Sequence, residues 1–173
     1  MAPTVRALAA GGRDDVLWDL LQEDDQPSYG YFMASTPANP GGMTTIGERW
    51  NRGDSKNHMI LAQIDEWFHT GIGGIRPGAT AYRSLTIHPK PVGDLRHAHA
   101  SYETPQGVAR SGWQKNGDRF ELTVTVPANT VAEVWLPTGD GTPVAPARAR
   151  FLRVDGDNTV YSVPSGQFTF RSH

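Results

Sequence analysis

The sequence predicts a mainly β protein: an antiparallel β-sandwich preceded by an N-terminal segment of two or three helices. Three observations predict it. Apolar residues recur at helical spacing up to about residue 76, and the period falls to two after "GIRPG". The alternating runs that follow are separated by turn residues, with no helical segment between them. The domains expected from this are a helical segment over 1–76 and a sandwich over 77–173.

The first helix is expected in "RDDVLWDLLQEDD". Val16, Leu17, Leu20 and Leu21 share one face there, and Asp14 and Asp15 stand in the first turn, where the helix dipole favours negative charge. The second is expected in "SKNHMILAQIDEWFHTG", where Ile60, Ile64, Trp67 and Phe68 form an apolar stripe. Ser55 is its expected N-cap, and Gly71 opens a glycine-rich stop. Between the helices, Gln26 to Asp54 reads as a loop longer than compact domains carry without a functional reason. So few helices cannot close a core around such stripes, which need the sandwich, further helices or self-association to cover them.

Seven or eight strands are expected in the remainder. In "RFELTVTV", Phe120, Leu122, Val124 and Val126 point to one side, and Glu121, Thr123 and Thr125 to the other. "KNGD" reads as a two-residue Asn-Gly hairpin turn, and "DGDN" at Asp155 to Asn158 as another hairpin turn. "GIGGIRPG" reads as a helix stop and linker, because no Gly-Lys-Ser/Thr follows to make it a phosphate loop.

Composition removes several classes of function. Hydrophobic residues at 38% and charged residues at 20% call for a packed core rather than disorder. A net charge of −2 gives no electrostatic reason to expect nucleic acid or an anionic membrane. The absence of cysteine excludes disulfides, thiolate metal sites and cysteine nucleophiles. "MAPTVRALAAGGRDD" lacks the apolar centre of a secretory signal and no run approaches a membrane span, so the chain reads as soluble and, by default, cytoplasmic. His97 and His99 share a strand face without an evident third ligand, so neither metal nor cofactor is expected. "RGDS" at Arg52 to Ser55 matches an integrin-binding tetrapeptide, a match short enough to arise by chance.

The stretch "GGMTTIGERWNRGDSKNH" puts a carboxylate, an arginine, a tryptophan and a histidine into a polar, glycine-rich loop, a mixture that suits a sugar site. Together with "PSYGYFM", "EWFHTGIGGIRP", "YRSLTIHPKP" and "ASYETPQGVARSGWQKNGDRFELTVTVPANTVAEVWLP", it resembles the C-terminal part of bacterial α-L-rhamnosidases of glycoside hydrolase family 78. The resemblance implies the end of an (α/α)6 barrel followed by a C-terminal β-sandwich, and an inverting hydrolysis of terminal α-L-rhamnosides. It also implies that Glu48, in the "ERW" segment, is the general base and that His58, in the "NH" pair, contacts rhamnose. Trp50 offers an apolar face to a deoxysugar. Gly47 stands where relatives commonly carry an aromatic residue, and the family's general acid belongs to a barrel region with no counterpart in this chain.

Structural readings stand beside these. Glu48 can be a solvated loop carboxylate, His58 a first-turn residue bonded to loop backbone, and Trp50 a lid packed over the helices. The functions expected are therefore the general-base half of an inverting α-L-rhamnosidase, inactive alone, or a non-catalytic module that recognises rhamnosyl sugars. The expected partner is a rhamnosyl glycoside, with a further barrel chain or a second copy covering the helix faces.

Overall fold

In the computed structural model, which describes residues 2–37, 40–139 and 141–172, the chain forms two compact units, one ending at Trp67 and the other beginning at Phe68. The first unit is helical: α1 (Ala2–Ala10), α2 (Asp14–Gln22), α3 (Tyr29–Met33), α4 (Met59–Ala62) and α5 (Ile64–Trp67). Its core is Val5, Leu17, Tyr29, Phe32, Leu61, Ile64 and Trp67, all buried. Asp14, also buried, accepts a 2.7 Å hydrogen bond from the indole Nε1 of Trp67. That bond satisfies an indole N–H that would otherwise be costly to bury. No helix of the described residues is long and apolar enough to cross a membrane.

Three features of this unit depart from expectation, the first being α1, which was not expected. The stretch from Ser55 to Gly71 is not one helix: α4 is capped by His58 rather than Ser55, α5 follows it, and Phe68–Ile72 is a π-helical turn. Ile60 and Phe68 are accordingly 40% and 39% exposed, and Leu61 takes the core position beside Ile64 and Trp67. The segment read as a continuous loop from Gln26 also contains α3, whose N-cap Ser28 accepts the Tyr31 N–H at 3.0 Å. Five residues are too few for a helical period to show in sequence.

The second unit is a sandwich of two sheets, a five-stranded one in the order β1-β2-β6-β8-β7 and a four-stranded one in the order β3-β4-β5-β9. The strands are β1 (Ile75–Pro77), β2 (Ser84–Ile87), β3 (His97–Thr104), β4 (Gly107–Asn116), β5 (Arg119–Val126), β6 (Val131–Pro137), β7 (Arg150–Asp155), β8 (Asn158–Val163) and β9 (Gly166–Ser172). Every pairing is antiparallel except β2 with β6. β5 follows the alternation expected of it: Phe120, Leu122, Val124 and Val126 are buried, while the residues between them are half-buried. Leu122 lies opposite Trp113 of β4 and Phe170 of β9, and Val134 and Leu136 of β6 are likewise fully buried. The indole of Trp113 donates to the Ile72 carbonyl at 2.8 Å, which ties the π-helical turn to the four-stranded sheet.

β1 lies in the stretch expected to be a linker, and it pairs Ile75 with Ile87 of β2. Gly74 before it has φ of 72° and would place a Cβ 2.2 Å from the Pro89 nitrogen, so only glycine fits this close approach. The β4–β5 turn sits one residue further on than an Asn-Gly turn would: Asn116 pairs with Arg119, and Gly117, with φ of 60°, is its first residue. The glycine thus fills the turn position that needs a positive φ. The "DGDN" turn is as expected, with Asp155 paired to Asn158.

Leu122→Ala should lower unfolding stability by about 2–5 kcal/mol, since it leaves a cavity between Trp113 and Phe170. Thr123→Ala, on the outer face, should cost under about 1 kcal/mol. Urea unfolding of both variants checks the difference, and equal costs would mean that the alternation does not set the core.

Candidate functional site

The polar stretch after α3 folds into a two-armed loop. The Met43 N–H donates to the Phe32 carbonyl at 2.7 Å, returning the chain to α3. Gly42 makes this possible: its φ is 73°, and a Cβ there would fall 2.2 Å from the Met33 carbonyl oxygen. Further on, the His58 N–H donates to the Ile46 carbonyl at 3.2 Å and the Glu48 N–H to the Ser55 carbonyl at 2.9 Å. These two bonds zip the arm carrying Glu48 to the arm leading to His58. At the tip the Arg52 N–H donates to the Arg49 carbonyl at 3.0 Å, and Asn51 Oδ1 accepts the Gly53 N–H at 3.0 Å. Gly47 is buried, yet a Cβ there would meet Met43 and Ser55 at 3.5 Å and the Arg49 carbonyl at 3.8 Å, ordinary contacts, so local sterics do not demand glycine.

Arg52 anchors the tip. Its guanidinium lies 4.1 Å from the centre of the Tyr31 ring and donates to the carbonyls of Tyr31 and Ala34 and to Thr36 Oγ1. The cation therefore fixes the tip to α3 through a ring face and the acceptors around it. The "RGDS" match consequently presents no free arginine. Asp54 is engaged as well, in a 2.6 Å ion pair with Arg49. Arg52 and Asp54 both sit in the left-handed region, with φ of 62° and 58°. Such backbone is costly outside glycine and persists only where the surroundings enforce it.

Each residue singled out from sequence has a defined place. Glu48 is half-buried with its backbone fixed by Ser55, and among the described residues no hydrogen bond or ion pair reaches its carboxylate. His58 is the N-cap of α4: its Nδ1 accepts the Ile60 N–H at 3.2 Å. An Nδ1 that accepts places the proton of the neutral ring on Nε2, which is then a donor. Trp50 stacks on Phe32 with ring centres 5.2 Å apart and meets Tyr29 edge-on at 5.0 Å. It is a packed member of an aromatic cluster that remains half-exposed. Glu48 and His58 thus lie on adjacent, bonded arms, while Trp50 turns toward α3.

Sequence reasoning quoted the segments that hold Tyr29, Tyr31, Phe32 and Arg52 but gave none of these residues a place in the site. The signal for the first three is Ser28 as a cap before residues that place Tyr29 and Phe32 on one face. Tyr29 is buried, donates to the Leu61 carbonyl at 2.8 Å, and has its phenol pushed up to about 12 by burial.

Comparisons with known proteins agree with this architecture. Residues 2–72 match the model of the bacterial α-L-rhamnosidase six-hairpin glycosidase domain, and residues 74–150 that of the bacterial α-L-rhamnosidase C-terminal domain. An α-L-rhamnosidase of Streptomyces avermitilis is 34% identical over 170 residues, covering 92% of this chain and 16% of that protein. One from Formosa agariphila is 32% identical over 158 residues, covering 85% and 16%. Among solved structures, that of Streptomyces avermitilis α-L-rhamnosidase complexed with L-rhamnose superposes with a TM-score of 0.85 at 32% identity, over 98% of this chain and 17% of that one. The α-L-rhamnosidase of Dictyoglumus thermophilum gives 0.81 at 28% identity, over 95% and 19%. This chain spans about a sixth of the length of the curated relatives it matches.

Two predictions follow from the loop. Arg52→Lys, which loses the planar fork and its ring stacking, should speed amide exchange at Glu48 and His58 about tenfold or more, with little change in sandwich protection; unchanged exchange would mean the arms hold without the anchor. The raised phenol of Tyr29 favours the protonated folded state, so its contribution is complete below pH 10 and lost as the pH rises toward about 12. Alkaline unfolding of Tyr29→Phe should lack that contribution.

Proposed function

Because this chain belongs to the bacterial α-L-rhamnosidase family, with parts of its six-hairpin glycosidase and C-terminal domains, we propose that it supplies the general-base side of an inverting α-L-rhamnosidase site. Glu48 is the base in this reading, and His58 and Trp50 face the sugar. The observation that carries it is the state of Glu48: a half-buried carboxylate, free of partners among the described residues, on a backbone fixed beside the arm that leads to His58.

The chemistry follows from inversion. A base must take a proton from water as that water attacks the anomeric carbon, while a second carboxylic acid about 6.5–9.5 Å away protonates the departing oxygen. An unpartnered carboxylate suits the first task, since nothing competes for the oxygen that receives the proton. His58 would donate from Nε2 to a sugar hydroxyl, because Nδ1 is already occupied by the helix cap. Trp50, held against Phe32, would offer its open surface to the sugar's apolar side. Asp54 is committed to Arg49 and is not assigned the acid's role, which falls to a residue outside this chain.

The test is hydrolysis of an aryl α-L-rhamnoside by the purified chain and by Glu48→Gln, together with an NMR titration of each with L-rhamnose. Neither should turn over substrate; L-rhamnose should shift the amides of Glu48 and His58 in the parent chain, and less so in the variant. Turnover that Glu48→Gln abolishes would mean the chain assembles a whole site and would overturn the half-site reading. Unmoved amides at millimolar L-rhamnose would remove the sugar role itself.

A further inference from the structure

We propose that the outer face of the four-stranded sheet, at the end where β4 turns into β5, is a second saccharide site, selective for sugars that bear carboxylates. The proposal rests on reading the chain as carbohydrate-active, but not on the loop of Glu48. Strand pairing sets His97, Gln114, Glu121 and Arg171 in one row across this face, and Gly112 between His99 and Thr123 in the next. Two depressions of about 580 and 660 Å³ cover these rows and share His97, Gln114 and Glu121.

The charge of the site is one-sided. Arg96, Arg110, Lys115, Arg119 and Arg171 line the two depressions, and Glu121 is the one carboxylate among the described residues of either lining. In a chain of net charge −2, that is a local concentration of positive charge. Glu121 is itself held, accepting from Arg171 Nε at 2.7 Å and from Gln114 Nε2 at 3.3 Å. Arg96, Lys115 and Arg119 form no ion pair among the described residues.

The shape fits a sugar ring better than a polymer backbone. Gly112 contributes no side chain, and a Cβ there would lie 2.6 Å from His99 Nδ1, so the imidazole takes up the space over the glycine and lines the hollow with it. Around the hollow are groups that pair with hydroxyls: the Gln114 amide, the Glu121 carboxylate, and the Thr123 and Thr169 hydroxyls, 3.1 Å apart. The guanidinium fork matches a carboxylate in two parallel hydrogen bonds. Single-stranded nucleic acid would want larger exposed rings for base stacking than the imidazoles of His97 and His99, and Trp113 and Phe120 are buried in the core.

The test is an NMR and calorimetric titration of the full chain with a galacturonic acid oligosaccharide, a neutral galactose oligosaccharide of equal length, inorganic phosphate and duplex DNA, all at one ionic strength. The acidic oligosaccharide should shift the amides of Gln114, Lys115, Arg119 and Arg171, and the Arg96→Gln/Arg119→Gln double variant should bind it roughly tenfold more weakly or worse. The neutral oligosaccharide should shift none of them. Absence of binding, binding that ignores the double variant, or equal affinity for phosphate or DNA would overturn the proposal. The Glu48 amide under L-rhamnose reports separately on the other site, so either reading can fail without the other.

Discussion

One cation, Arg52, ties the tip of the loop that bears Glu48 to α3. Twenty-odd residues without regular structure lose conformational freedom worth about 1–2 kcal/mol each when ordered, and polar side chains at a surface recover little of that. Arg52 offsets part of the cost, because one planar group reaches a ring face, two carbonyls and a hydroxyl at once. The anchor is itself imperfect: Arg52 Nε is buried without a partner among the described residues, and an unsatisfied buried donor costs about 1–3 kcal/mol. Left-handed backbone at Arg52 and Asp54 adds to this. Such a geometry persists only where the contacts around the tip enforce it.

The sandwich meets a different constraint. Its inner faces satisfy themselves by period alone, with Leu122, Val134, Val160 and Phe170 all fully buried. Regular alternation then leaves every second residue of β4 and β5 facing outward, where packing imposes nothing on chemistry. The row from His97 to Arg171 is the consequence: strand register lines up four polar side chains without any loop to position them. Sites on sheet faces are held more rigidly than sites on loops, so the two candidate sites differ in what keeps them in place.

Much of this was legible in the sequence, and the limits have physical causes. Long alternating runs announced β5 and β6, because a buried face forces a period of two over many residues. β1, three residues between glycines, carried no period and read as a linker. The helix expected from Ser55 came out as two short pieces and a π-helical turn, since the apolar spacing of Ile60, Ile64, Trp67 and Phe68 suits a straight helix that the fold does not make. At the site, Glu48, Trp50 and His58 were visible as residue types. Arg52 was not, because its value lies in Tyr31 and the carbonyls of Tyr31 and Ala34, and contacts between residues eighteen or more apart in sequence leave no local pattern.

The structural role of His58 leaves room for the binding role proposed for it. A histidine that only capped a helix could be replaced by serine or asparagine, which make better caps. A histidine that only met a sugar would be free to rotate and to change tautomer. Occupying Nδ1 with the Ile60 N–H removes both freedoms: the ring is oriented by α4, and the remaining proton sits on Nε2. The same bond that starts α4 therefore sets the direction in which Nε2 points. Because the His58 N–H also closes the arm at Ile46, one residue sets the loop's exit, the helix's start and the donor's aim. In the proposed site, cap and sugar contact would be two uses of one side chain, with the cap orienting the ring.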